Sequence, residues 1–130
     1  MRKFTPWMLL ALACQSAYAS WDKVAELGNG RIYAEATERR RDGDRVTMRA
    51  LFDLNAALIS KTNGQPYVSQ RLQSEYDCKE KRWRVLNSSW HSGNMGEGRM
   101  VEYLAESSKW EPVLPDSGVE ALWKIACESR

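Results

Sequence analysis

Over most of this chain apolar residues fall at every second position, and only near the end does the spacing lengthen to that of a helix. The clearest stretch is residues 45–54. Val46, Met48, Ala50, Phe52 and Leu54 share one face, while Thr47, Arg49 and Asp53 share the other, with Leu51 as the exception. That is the pattern of a half-buried strand. Turn signals divide the chain before and after it. Gly28-Asn29-Gly30 separates residues 21–27 from 31–39, and Asp42-Gly43 separates 31–39 from 45–54. These segments predict three strands joined by tight turns.

Residues 55–66 predict the longest connection, ending at Asn63-Gly64 and Pro66, with room for a helical turn over 55–60. Residues 67–78 then predict a long strand with Val68, Leu72 and Tyr76 on its apolar face. Lys79-Glu80-Lys81 is a charged turn, and Arg82–His91 predicts the next strand. Strict alternation there puts Trp83 and Val85 on one face and Leu86 and Trp90 on the other. Glycines at 93, 96 and 98 predict a flexible loop over 92–98, followed by a last strand over 99–106.

The period changes at Ser117-Gly118-Val119-Glu120, which has the spacing of a capping box. Val119, Leu122, Trp123 and Ala126 then make one apolar helical stripe. So short a helix is marginal alone and needs a surface to lie on. The expected fold is α+β: one antiparallel sheet of about six strands with a C-terminal helix packed on a face. Trp83 and Trp123 are expected in the core between them.

Charge and cysteines add an address. The 130 residues hold 19 Lys and Arg against 17 Asp and Glu. Arg2 and Lys3 lie in the first nineteen residues, which carry no acid, so the remainder is neutral. A neutral domain argues against nucleic acid or a polybasic membrane contact. Residues 1–19 read as an export signal: a positive start, an apolar run from Trp7 to Cys14, and small residues at Ala17 and Ala19 before Ser20. The run is about half the ~20 residues a spanning helix needs. A domain at 20–130 follows. Ala11-Leu12-Ala13-Cys14 offers a second route, a lipoprotein box in which Cys14 is cut free and lipidated, though Ala11 and Leu12 fit it imperfectly. Both routes lead to an oxidising compartment, where Cys78 and Cys127 have one intramolecular pairing available. Such a bond ties the helix to the end of the fourth strand.

Site chemistry is sparse. Cys78, Cys127, His91 and Asp77 are metal-ligand types without paired spacing, so neither metal nor cofactor is expected. No nucleophile elbow or phosphate loop appears. Arg39-Arg40-Arg41 abuts Asp42 and Asp44 at a turn and reads as a solvated corner. His91 is a lone histidine expected at the surface near a strand end.

The order of these signals resembles the surface-adhesin protein E family of small exported bacterial domains. The matching residues are Trp21 with Val24, Ile32-Tyr33 before the Asp42-Gly43 turn, Val46 to Leu54 with Asp53, Asp77-Cys78, and Arg82 with its strand. Further along they are the Gly96 and Gly98 loop, Trp110-Glu111-Pro112-Val113-Leu114-Pro115-Asp116-Ser117, and Cys127. The resemblance spans nearly all of the chain after the leader. It implies a single antiparallel sheet with a C-terminal helix held by a disulfide. It also implies an envelope protein that binds host matrix or serum proteins, with no catalytic motif. The absence of a clean lipoprotein box departs from the family's founding pattern.

Three readings of function follow. The first is an exported binding module that engages an envelope or host protein through a sheet face or edge. Its candidate contacts are Arg71, Arg82 and Arg84, a stripe on the face opposite Trp83, together with Trp90 as an exposed aromatic on the parity opposite Trp83. The second is a structural or accessory periplasmic protein that binds another bacterial component, as a monomer or homodimer. The third is an enzyme, which the missing site chemistry disfavours.

Overall fold

A computed structural model of the chain describes residues 20–128. The leader, with Ala17, Ala19 and Cys14, lies outside the described residues; Ser20 is the first described and is exposed. The strands are β1 (Asp22–Leu27), β2 (Gly30–Ala34), β3 (Arg40–Asp42), β4 (Arg45–Ile59), β5 (Pro66–Asp77), β6 (Arg82–His91), β7 (Met100–Leu104) and β8 (Glu111–Pro112). Among the described residues one α-helix, α1 (Gly118–Cys127), follows the strands. All eight strands join one antiparallel sheet in the order β1-β2-β4-β5-β6-β7, with β3 added beside β4 and β8 beside β6.

The strand count is therefore eight rather than the expected six. The stretch 31–39 does not stay extended: β2 ends at Ala34, Ala36–Glu38 make a 3-10 turn, and the chain re-enters the sheet at Arg40. Arg40 and Arg41 thus belong to a short strand, though both stay exposed. The other addition, β8, is two residues long and pairs with Arg82 and Trp83. A strand of that length has no alternation to read.

A larger departure is at 55–66. β4 runs on to Ile59, where a connection with a helical turn is expected. Asn-Ala-Ala-Leu has no strand preference of its own, but Leu58 and Ile59 pair with Tyr67 and Pro66 after a register shift. Pairing overrides local propensity here. The first turn also differs. Leu27 pairs with Gly30, leaving Gly28 and Asn29 as the loop, so Gly30 is a strand residue. Its glycine is required by close approach: a Cβ there would lie 2.2 Å from the Asp53 carbonyl oxygen.

The core lies between the sheet and α1. Ile32, Ala34, Val46, Met48, Ala50, Leu72 and Tyr76 from the sheet meet Leu122 and Ala126 of the helix. Trp83 and Trp123 pack half-buried against this cluster, as expected. The Trp123 indole N–H donates to the Asp77 carbonyl at 2.9 Å. Burial raises the Tyr76 hydroxyl above its ordinary pKa, so it stays neutral. Ser117 caps the helix by accepting from the Glu120 N–H at 3.1 Å, and Glu120 accepts from the Asp116 N–H at 3.2 Å. At the other end the Cys78–Cys127 disulfide joins α1 to the end of β5, with Cα atoms 5.6 Å apart.

Candidate functional site

The face of the sheet away from α1 is built of cross-strand rows read from the register of β4, β5 and β6. They are Arg45–Asp77–Arg82, Thr47–Glu75–Arg84, Arg49–Gln73–Asn87, Leu51–Arg71–Ser89 and Asp53–Ser69–His91. Directly opposite residues share a face, so the candidates Arg71, Arg82 and Arg84 do lie together.

Trp90 does not join them, and it is not on the parity opposite Trp83. Gln73 pairs with Asn87 and Ser74 with Val85, so Leu86 is an extra residue in β6. A bulge of one residue reverses the alternation beyond it. Trp90 therefore sits opposite Gln70, on the same face as Trp83, and is half-buried.

Each of the first two rows holds one ion pair. Arg82 Nε contacts Asp77 Oδ2 at 3.1 Å, and Arg84 contacts Glu75 Oε1 at 2.9 Å. Backbone N–H groups of Glu80 and Lys79 also donate to Asp77 Oδ1. The Glu80 N–H does most to hold the Asp77 carboxyl below its ordinary pKa, with Arg82 helping, against the opposing pull of desolvation. Trp110, carried in just before β8, lies across both rows. The guanidinium carbons of Arg82, Arg84 and Arg45 sit 4.5, 4.7 and 5.2 Å from its ring centroid. Arg82 and Arg84 are thus held by acids and an aromatic face, which is the chemistry of a structural cluster.

The far row is also closed. Asp53 is 3% exposed and accepts from Asn94 Nδ2 at 3.0 Å and from the Met95 N–H at 2.8 Å. Ser69 donates to the Gly93 carbonyl at 2.6 Å and accepts from the Gly96 N–H at 2.9 Å. The loop over 92–98 is therefore pinned to the sheet rather than flexible as expected. His91 is buried, not at the surface, and its Nε2 lies 2.7 Å from Ser89 Oγ. Burial first, and Arg71 second, lower its pKa below the ordinary value.

Between these closed ends the face opens into a cleft of about 290 Å³ lined by Trp21, Glu35, Arg49, Arg71, Gln73, Asn87 and Ser89, with Leu72 also at its wall. A smaller hollow of about 160 Å³ shares Arg49 and Gln73 and adds Arg40 and Glu38. Asn87 Nδ2 donates to Gln73 Oε1 at 2.8 Å across the floor. Arg49 and Arg71 are exposed, and among the described residues neither has a carboxylate oxygen within 4.0 Å. Glu35 is 6% exposed, and among the described residues its Oε2 has no hydrogen-bond partner.

Of the sequence candidates, only Arg71 lines this cleft. Arg49 is legible in the strand alternation as a polar-face residue. Trp21 and Glu35 lie outside the regular pairing that alternation reports. Among the described residues no three or more His, Cys, Asp and Glu converge on a common point. No helix there is long and apolar enough to cross a membrane.

Comparison with known proteins bears on this arrangement. A family model described as Surface-adhesin protein E matches residues 21–128. A solved structure of Haemophilus influenzae protein E superimposes with a TM-score of 0.66 at 14% identity, covering 85% of this chain and 88% of that one. A second Haemophilus influenzae protein E structure gives 0.64 at 14% identity over 85% of each chain. Protein E from non-typeable Haemophilus influenzae gives 0.58 at 15% identity over 81% of this chain and 74% of that one. No curated protein matches the sequence.

Proposed function

The chain belongs to the surface-adhesin protein E family, and from that premise we propose that it is an exported, non-catalytic binding module. Its recognition surface is the sheet face opposite α1, and its partner is a protein of the envelope or of a host matrix. Residues 1–19 act as a removable leader, and 20–130 form the domain that works outside the cytoplasm. Family membership supports export and binding in general. The choice of face rests on one observation: among the described residues Arg49 and Arg71 stand without an ion-pair partner beside Trp21 in a cleft, while Arg82 and Arg84 on the same face are neutralised. Arginine and tryptophan are the residues most enriched where binding energy concentrates.

Site-specific photo-cross-linking tests this in cells exporting the protein. A cross-linker at Gln73, in the cleft, is expected to capture a protein that one at Lys124, on the exposed side of α1, does not. Arg49→Glu is expected to abolish that capture. Equal capture from both positions, or indifference to Arg49→Glu, rules out the cleft face. Intact mass of the exported protein separates the two addresses: a chain starting at Ser20 is soluble, and one starting at Cys14 with added lipid is membrane-anchored.

A second reading, an accessory protein that associates with itself or another bacterial component, draws on the sheet edge. β7 is an edge strand, and Met100, Tyr103 and Leu104 are 54%, 57% and 47% exposed. Open edges of this kind pair readily with other chains. A concentration-independent monomer that ignores Tyr103→Lys argues against it.

A further inference from the structure

We propose that the cleft over β4 and β5 is a site for a small zwitterion, one carrying an ammonium with N–H donors and an anionic group within a molecule about the size of a dipeptide. The inference rests on the polar face being the recognition face and names what its cleft takes.

Three features of the cleft point to that chemistry. The first is Glu35. Its backbone N–H donates to the Arg49 carbonyl at 3.0 Å, so the two residues are cross-strand neighbours. Yet its side chain makes no ion pair with Arg49 among the described residues, and Oε2 is buried without a donor. Buried acceptors are almost always satisfied, by protein, water or ligand. A quaternary ammonium has no N–H to give, whereas a primary ammonium has three.

The second feature is the pair of arginines. Arg49 and Arg71 lie on adjacent strands, one register step apart on the same face. Their forks suit a carboxylate or a phosphate. Nothing in the sheet neutralises them, in contrast to Arg82 and Arg84 on the same face. Opposite charges line one cleft without touching, which leaves the space between them for a ligand that bridges both.

The third feature is the wall and floor. Trp21 provides an aromatic surface that favours an adjoining cation. The Gln73–Asn87 hydrogen bond uses one amide donor and one amide acceptor, leaving the Gln73 NH2 and the Asn87 carbonyl for the ligand's backbone. A volume of about 290 Å³ lies at the small end of ligand pockets.

The test uses the disulfide-bonded protein beginning at Ser20 and two-dimensional NMR of the Trp21 indole and the Gln73 and Asn87 side-chain amides. L-alanyl-L-alanine is titrated beside its N-acetylated form, its C-terminal amide, and phosphoethanolamine. The free dipeptide is expected to shift these signals, and either capped form to bind about ten-fold more weakly or worse, the usual cost of losing one charged hydrogen bond. In Glu35→Gln the penalty for N-acetylation is expected to vanish while the amide penalty stays. In Arg71→Gln the reverse is expected. Tighter binding of phosphoethanolamine keeps the zwitterion and identifies its anion as a phosphate. No localised shift by any probe, equal binding of capped and free forms, or an acetylation penalty unchanged in Glu35→Gln overturns the proposal. If Glu35→Gln fails to fold, the capped probes on the unaltered protein decide it alone. A protein cross-link at Gln73 without response to any probe overturns this inference and leaves the binding-face reading standing.

Discussion

Removing the disulfide by a double Cys78→Ala, Cys127→Ala substitution is the most informative perturbation of this fold. The bond joins residues 49 apart in sequence. In the loop-entropy treatment, a closed loop of about fifty residues constrains the unfolded chain by about 4 kcal/mol at room temperature. The unfolding entropy of a domain of about 110 residues is roughly 0.23 kcal/mol per kelvin, so the expected fall in Tm is about 15–20 °C. The bond also has a local role. α1 is ten residues long, too short to persist alone, and Leu122 and Ala126 are its fully buried anchors. Without the bond the helix is expected to leave the sheet at lower temperature than the strands separate. Differential scanning calorimetry of the variant, beside the reduced and oxidised parent, gives the total shift. Far-ultraviolet circular dichroism separates helix from sheet. A fall of about 5 °C or less in both the variant and the reduced parent would refute the loop-constraint account, because it leaves most of the predicted ~4 kcal/mol missing.

Other substitutions probe other parts of the structure. Gly30→Ala drives a Cβ to 2.2 Å from the Asp53 carbonyl oxygen, whereas a Cβ at Gly28 meets nothing within 4 Å. Gly30→Ala is expected to cost about 3 kcal/mol or more, as overpacking against backbone does, and Gly28→Ala close to nothing, both read from urea unfolding. Trp110→Ala removes three guanidinium contacts and is expected to cost about 1–3 kcal/mol, with faster exchange of the Arg82 and Arg84 guanidinium protons by NMR. The fold depresses the His91 pKa below 6.5, with burial as the main cause and Arg71 facing it from β5. Its contribution to stability is therefore complete above about pH 6.5 and lost as pH falls through that value toward the folded pKa. His91→Gln is expected to flatten the dependence of Tm on pH between about pH 7 and pH 5, and an unchanged slope would assign it elsewhere.

Alternation in the sequence carried the sheet because this fold is amphipathic: one face meets α1 and the other meets water and charge. β4 could be read from Val46 to Phe52 for that reason, and α1 from its cap and stripe. What alternation cannot show is where it is interrupted. The single extra residue at Leu86 moves Trp90 to the other face, and no glycine or proline marks the bulge. β4 continues over residues 55–59 because Leu58 and Ile59 pair with β5, against a composition neutral to strands. The cleft was half legible for the same physical reason. Arg49 and Arg71 follow the period, but Glu35 sits where the chain leaves β2 and Trp21 precedes β1. The glycine loop misled because glycine signals backbone freedom, while Asp53 and Ser69, remote in sequence, remove that freedom by accepting its N–H groups.

The polar face treats its charges unequally, and on the proposed binding role that inequality is the source of selectivity. Asp77, Glu75 and Trp110 immobilise Arg82 and Arg84 at one end, and Asp53 and Ser69 fix the loop at the other. Paired charges of this kind are poor ligands for a partner, since contact would have to displace an existing ion pair. They make good walls, because they fix the rows that flank Arg49 and Arg71. Pre-organised neighbours lower the ordering cost that a flexible arginine otherwise brings to binding. Relocating the free charge tests that division of labour. Glu75→Gln leaves the Arg84 charge without its ion pair, resting on Trp110 alone, and changes no residue that lines the cleft; it is expected to broaden what cross-links at Gln73 rather than to abolish it. Abolition would mean that the ion-paired rows, and not the unpaired arginines between them, carry recognition.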